Sequence, residues 1–213
     1  MTLLERARAL GEEISRLPQE ECIEALNEVR RVLHEVSPFQ EEPVDLVLWV
    51  PAEKVQANSY NPNTVPKTEF DLLLLSIRSD GYTQPIVGFS EGDHVEVVDG
   101  FHRNRVGRED PTVRERVHGY LPVVSINEGR KGLANRMAST VRHNRARGKH
   151  QVVKMSDIVV DLTRRGWKED RIATELGMSA DEVLRLKQVT GLAELFKDRE
   201  FSKAWDIVEE EPA

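Results

Sequence analysis

The sequence predicts an α+β fold, on three observations. Short β-type segments, "LVLWVPAEKV", "PIVGF", "HVEVVD" and "LPVVSI", are confined to the middle of the chain, interleaved with a helical stretch. Two helical segments precede them, and from Gly132 onward only helical periodicity remains. At 213 residues the chain is long enough for one large or two small domains, and the change of pattern favours two.

Taken in order, residues 2 to 36 carry apolar residues at helical spacing, Leu3, Leu4, Ala7 and Leu10, then Ile23, Leu26, Val29, Val32 and Leu33, divided at Pro18. This predicts a helical hairpin used for packing or self-association. "SPFQEEPVD" is a linker by composition, and "NSYNPNTVP" is a loop, because the residue before each proline is pushed away from the helical region. "KTEFDLLLLSIRSDG" reads as a helix stopped by Gly81, and "SEGD" as the turn that joins two short strands. "GLANRMASTVRHNRARG", with Gly148 as its stop, and "QVVKMSDIVVDLTRRG" are the next helices. The predicted domains are a helical segment over 1–40, an α+β domain over 44–148 and a helical lobe over 149–213.

Composition narrows the function classes. The single cysteine, Cys22, permits no intrachain disulfide, no CxxC redox pair and no thiolate zinc site. No apolar run approaches the roughly 18 residues that cross a bilayer, and the N-terminal stretch lacks a secretory apolar core. A cytoplasmic protein without membrane contact is expected. The net charge of -7 conceals an asymmetry: residues 1–99 hold 8 basic and 19 acidic residues, and residues 100–213 hold 22 and 18. Six basic residues lie between Arg136 and Lys154, with no acid until Asp157, a field suited to phosphate or equally to a solvated helix face.

The densest chemistry is "VVDGFHRNRVGR", Val97 to Arg108. A glycine at a strand end permits a turn and close ligand approach, and the helix that follows presents free N–H groups to an anion. Gly100 fits that position. Arg103, in the first helical turn, adds a guanidinium with bidentate phosphate geometry. The competing expectation pairs these arginines with Asp99 and Glu109 on an exposed helix. His102 and His143 lack a carboxylate or cysteine within the same motif, so no metal site is expected of them, only phosphate or surface contacts.

Near the C-terminus, "KEDRIATELGMSADEVLRLKQVTGL" places Ile172, Ala173 and Leu176 on one short helix, a sharp turn at Gly177, and a Ser179 cap before a helix carrying Val183, Leu184 and Leu186. That is the helix-turn-helix pattern, with Arg185, Lys187 and Gln188 as the DNA-contacting residues, although Asp181 and Glu182 stand at the helix start. Two ordinary helices of a helical lobe fit the same pattern.

"NSYNPNTVP", "LLLLSIRSDGYTQPIVGF" and "VEVVDGFHRNRVGR" resemble, in order and spacing, the motifs of the ParB/sulfiredoxin-like N-terminal domain superfamily, over about residues 45–148. "MASTVRHNRARGKHQVVKMSDIV" and "LAELFKDREFSKAWD" resemble the IbrB-like co-activators of prophage gene expression within it. The resemblance implies a small mixed sheet and a nucleotide triphosphate, ATP or CTP with or without Mg²⁺, held by Gln84, Gly100, Phe101, His102 and Arg103. To these it adds Asn144 and Arg147, which keep the N-x-x-R spacing of the third ParB box. It further implies a homodimer, DNA as partner, transcription regulation and a protein partner related to PAPS reductases.

Departures from the family pattern matter as well. His143 stands where ParB has the glutamate before its asparagine, which removes a metal-bridging carboxylate. Phe101 stands where sulfiredoxin has its reactive cysteine, and this excludes sulfiredoxin chemistry. The reading that results is a nucleotide-binding, DNA-binding regulator of transcriptional co-activator type. The alternative is a small nucleotide-dependent enzyme, a metabolite kinase or ParB-type nuclease, with Asp99, Glu69 or Asp71 as the acids near the cradle.

Overall fold

The structure, a computed structural model, describes residues 1–58, 66–126, 132–145 and 152–196. The chain divides into two compact units, Met1–Gln151 and Val152–Ala213.

The first unit opens with α1 (Leu3–Ile14) and α2 (Gln19–His34), broken at Pro18, which cannot continue a helix. Thr2 and Glu5 close a capping box at the start of α1. Ile14 is buried, but Leu3, Leu4, Leu10, Leu26, Val32 and Leu33 are exposed, so the apolar stripe read from the sequence does not face this unit's core. The linker is more ordered than its composition predicts. Asp45, in a short 3₁₀ turn over Pro43–Asp45, accepts hydrogen bonds from His34 Nδ1 (2.5 Å) and Ser37 Oγ (3.0 Å).

A single predicted strand over "LVLWVPAEKV" becomes β1 (Leu48–Pro51), a 3₁₀ turn and β2 (Val55–Gln56). Pro51 supplies no N–H to a ladder, so the strand ends there. The helix α3 (Lys67–Asp80), the strands β3 (Ile86–Glu91) and β4 (His94–Asp99), and the helix α4 (Phe101–Glu109) follow as expected. Then comes α5 (Pro111–Arg116), a short helix that the sequence reading lacked, and β5 (Tyr120–Ser125). Pro111 at its first position and Asp110 as its cap, accepting from Val113 N at 3.0 Å, were the available signals.

The sheet order is β1-β5-β3-β4-β2, and it is mixed, as expected: β1/β5 and β3/β4 are antiparallel, β3/β5 and β2/β4 parallel. Val55, Ile86, Val95, Val97, Leu121 and Val123 form its core, with Ala52. Ile77, Val106 and Val113 form a second cluster among α3, α4 and α5. Each such fully buried side chain contributes about 1.5–3 kcal/mol, which fixes the β4–α4 junction between two packed layers. The helix α6 (Leu133–Arg145) packs on β4 with Met137, Ala138 and Val141 buried.

At the open edge of the sheet, Asn27 of α2 mimics a neighbouring strand. Its Nδ2 donates to Trp49 O (2.8 Å) and its Oδ1 accepts from Trp49 N (3.0 Å). The edge strand is thereby covered.

The second unit comprises α7 (Val152–Arg164), α8 (Glu169–Leu176) and α9 (Ala180–Phe196). Its core is Met155, Ile158, Val159, Leu162, Trp167, Ile172, Leu176, Met178, Val183 and Leu186. Among the described residues no helix is long and apolar enough to cross a membrane.

Candidate functional site

The β4–α4 corner is built on Gly100, which caps α4 with φ 89° and ψ 25°, a left-handed conformation that L side chains adopt at a cost. No side chain caps this helix. Its first backbone bond runs from Asn104 N to Gly100 O (2.8 Å), so the N–H groups ahead of Asn104 have no acceptor within the helix. Arg103 curls back over this end. Its Nη1 donates to Gln84 Oε1 (3.0 Å) and its Nη2 to Asp99 Oδ2 (3.3 Å), and a Cβ added to Gly100 would meet its Nε and Nη2 at 3.0 Å.

The corner therefore gathers Gln84, Asp99, Gly100 and Arg103. The guanidinium opposes the positive end of the helix dipole, and the Asp99 carboxylate beside it offsets that repulsion.

The other arginines of the motif point elsewhere. Arg105 lies 4.5 Å over the Phe70 ring and pairs with Glu109 at 2.8 Å, and Arg108 donates to Val55 O at 3.0 Å. Both ion pairs of the competing expectation, Arg103 with Asp99 and Arg105 with Glu109, are thus formed.

His102 stands edge-on between Phe101 and Phe70, and both ring nitrogens are buried without a hydrogen-bond partner. Burial first, and then the Arg105 charge, lower its pKa, so the imidazole is neutral at pH 7. Its ring is directed into this aromatic contact and not toward the anion position assigned to it from sequence.

Two residues missing from the predicted set stabilise the corner. Asn58, the first residue of the "NSYNPNTVP" loop, donates from Nδ2 to Val97 O (2.5 Å) and to Thr140 Oγ1 (3.4 Å), tying β4 to α6. Tyr82 donates its hydroxyl to Arg103 O (2.8 Å); burial raises the phenol to about 12, which keeps that donor protonated. The loop motif pointed to Asn58, whereas nothing local pointed to Tyr82. Asn144 falls in the last turn of α6, one residue after the exposed His143, and Arg147 lies outside the described residues. Glu69 and Asp71 are exposed on α3. Among the described residues no group of three or more His, Cys, Asp or Glu is placed to hold a metal ion.

In the second unit, α8 ends in a Schellman motif: Met178 N donates to Ala173 O (2.8 Å), Gly177 N to Thr174 O (3.4 Å), and Gly177 is left-handed at φ 65°. Ser179 Oγ then accepts from Glu182 N (3.2 Å), starting α9. Ser156 of α7 donates to Leu186 O, and Arg171 stacks 3.9 Å over Trp167.

The open stripe of α9 is Asp181, Leu184, Arg185 and Gln188, at i, i+3, i+4 and i+7. Leu184, one of the three apolar residues read on this helix, is 47% exposed, whereas Val183 and Leu186 are buried. Of the three predicted DNA contacts, Arg185 and Gln188 lie on the stripe, and Lys187 is paired with Glu169 at 2.6 Å.

A short helix, a left-handed turn and a Ser-capped second helix, both packed with a third, define the class of helix-turn-helix DNA-binding proteins. Residues 150–198 match the IbrB-like C-terminal HTH domain. The chain is also 50% identical over 195 residues to the uncharacterized protein YbdM of Escherichia coli K12, across 91% of this chain and 92% of that one. The chain belongs to the IbrB-like family.

Two solved structures are also similar, both of the C-terminally truncated chromosome-partitioning protein ParB from Caulobacter crescentus. The one complexed with CTP-gamma-S is 18% identical, with 70% of this chain and 83% of that chain covered and a TM-score of 0.38. The one complexed to the centromeric parS site is 16% identical, with 70% and 75% covered and a TM-score of 0.45.

Proposed function

We propose that this protein is a DNA-binding regulator in which the stripe of α9 contacts DNA and the β4–α4 corner holds the phosphates of a nucleotide triphosphate, ATP or CTP. The observation that carries the reading is the helix-turn-helix unit, with Arg185 and Gln188 exposed on the second helix. A guanidinium and a carboxamide on adjacent turns are the side chains that read base edges or phosphates in a major groove.

The nucleotide half of the proposal rests on the uncapped start of α4, with Arg103 and Gln84 beside it. An incoming phosphate adds negative charge where the helix dipole and the guanidinium both favour it. Arg103 then shares its donors between Asp99 and the ligand. Asp99 is the described carboxylate nearest that position in sequence, and Arg103 already occupies it, so Mg²⁺ would arrive with the nucleotide and not be held by a carboxylate cluster of the protein. Asn144 and Arg147 complete the ligand set by their spacing on and beyond α6.

The exposed leucines and valines of α1 and α2 supply a face for a homodimer, the state a two-fold operator requires. Co-activation of transcription, including that of prophage genes, with a partner related to PAPS reductases, completes the proposal.

Thermal unfolding with and without ATP or CTP and Mg²⁺, for wild type and Arg103→Ala, tests the corner. A ligand at a hundred times its dissociation constant adds about 2.7 kcal/mol, which Arg103→Ala abolishes. DNA retention that is independent of salt would remove the DNA half, since phosphate contacts release counterions.

A further inference from the structure

A pocket between α2 and the α3–β3 connection lies apart from the β4–α4 corner ligands and α9, and shares only Leu26 with the face proposed for the homodimer. It has a volume of about 460 Å³, within the range of small-molecule sites. Ile23 and Leu26 of α2, Trp49 of β1, Tyr82 and Tyr120 give it apolar and aromatic walls. Arg30 and Arg116 also line it, against a single carboxylate, Asp80.

Among the described residues both guanidinium groups bond only to neutral acceptors. Arg30 Nη1 donates to Asn27 Oδ1 (3.3 Å), and Arg116 donates to Arg78 O (2.8 Å) and Ile77 O (2.5 Å) at the C-terminal end of α3. Among the described residues neither has a carboxylate within salt-bridge distance. The acids that raise the Tyr120 phenol alongside burial, Glu20, Glu24 and Glu53, do not line the pocket. Aromatic walls with two guanidinium groups against one carboxylate suit a planar apolar body bearing a carboxylate.

The pocket also touches the corner. Asp80, Gly81 and Tyr82 form part of its wall, and two residues on, Gln84 accepts from Arg103 Nη1 while the Tyr82 hydroxyl donates to Arg103 O. One five-residue segment thus forms a wall of the pocket and holds both the backbone and the side chain of Arg103.

We propose that this pocket binds a small aromatic carboxylate, and that its occupancy is relayed through Tyr82 and Gln84 to the β4–α4 corner. The relay rests on the nucleotide reading of that corner; the binding does not.

The test uses phenylacetate, indole-3-acetate and L-phenylalanine, with neutral phenylacetamide, read by Tm and by tryptophan fluorescence. At least one carboxylate raises Tm and changes the fluorescence, and Trp49→Phe removes the fluorescence change. Arg30→Met weakens the carboxylates about tenfold or more and leaves phenylacetamide unchanged. Leu26→Trp, which fills the pocket from its more exposed side, removes binding of all four. A preference for L-phenylalanine over phenylacetate assigns its ammonium to Asp80.

Binding is overturned if no member acts at about 10 mM, or if Arg30→Met and Leu26→Trp both bind as wild type does. For the relay, a bound carboxylate changes the affinity for CTP about fivefold or more in wild type and not in Tyr82→Phe. Equal CTP affinity with and without it overturns the relay. If CTP does not bind at all, the corner reading fails and the binding result stands by itself.

Discussion

The Asp99 carboxylate and the Arg103 guanidinium lie 3.3 Å apart at the start of α4, with side-chain exposures of 4% and 13%. A pair this buried gains little over an apolar pair but costs a great deal to break from one side. Arg103→Ala therefore destabilises the first unit by about 2–4 kcal/mol, from the urea unfolding midpoint, beyond any effect on ligand. Arg103→Ala with Asp99→Asn recovers at least about 1 kcal/mol of that loss, because the buried carboxylate that lost its guanidinium is gone. No recovery in the double variant would mean that Asp99 is held by something other than Arg103.

Gly100→Ala tests the same corner through the backbone. A side chain at φ 89° costs about 1–2 kcal/mol, and the new Cβ, 3.0 Å from the guanidinium, makes Arg103 give way where it lies over Gly100. Stability falls by about that amount and nucleotide stabilisation falls with it. Wild-type ligand response in Gly100→Ala would place the ligand elsewhere.

Two groups separate by pH. The folded pKa of His102 lies below its ordinary 6.5, so the unfolded chain binds more protons between the two values. Stability is full above that range and falls as the pH drops below about 6.5, by at most about 1.4 kcal/mol per pH unit. Asp110 has its pKa lowered chiefly by its hydrogen bonds from Arg78, so its contribution is present above 3.8 and is lost only as the pH falls below that value. Urea midpoints between pH 7 and 3 show both windows, and His102→Gln removes the upper one alone. Identical profiles for wild type and His102→Gln between pH 7 and 5 would discard this account.

What the sequence made legible follows from how local each feature is. The Gly100 turn, the Pro18 break, the Gly177 turn and the Ser179 cap are each decided by one or two residues' backbone preferences, and each stands where it was expected. Less legible was anything set by a partner distant in sequence. The basic cluster around Arg103 looks uniform in one dimension, yet helical geometry sends Arg105 to Phe70 and Arg108 to Val55 and leaves Arg103 over Gly100. Nor could the sequence say that Leu184 and the leucines of α1 are exposed, because periodicity reports a face and not what covers it. Tyr82 escaped notice because its role lies entirely in a hydrogen bond to a residue 21 positions away.

The coverage of β1 by Asn27 carries its own prediction. Asn27→Ala removes both the donor to Trp49 O and the acceptor of Trp49 N, and leaves two backbone groups of an edge strand unpaired. Stability falls by about 1–3 kcal/mol, and the protein becomes more prone to associate through that edge, seen as concentration-dependent light scattering. Asn27→Asp keeps the acceptor but sets a carboxylate oxygen against Trp49 O in a buried position, so it is no more stable than Ala. Equal stability of all three would show that α2 is held to the sheet by other contacts.

On α9 the structure divides residues that the sequence treats alike. Arg185 and Gln188 share the open stripe, whereas Lys187 is engaged by Glu169 at 2.6 Å, a partly exposed pair of about 0–1 kcal/mol. Arg185→Ala therefore weakens DNA binding and, where the contact is to phosphate, lowers the salt slope by about one. Gln188→Ala costs about 1–3 kcal/mol on a preferred sequence and little on a random duplex, since a carboxamide discriminates bases. Lys187→Ala changes Tm slightly and DNA affinity least of the three. Fluorescence anisotropy across a salt series ranks them. Should Lys187→Ala prove the most damaging, α9 would have to turn its Lys187 side toward DNA, which requires breaking the contact with α8 and gives up the stripe as the reading face.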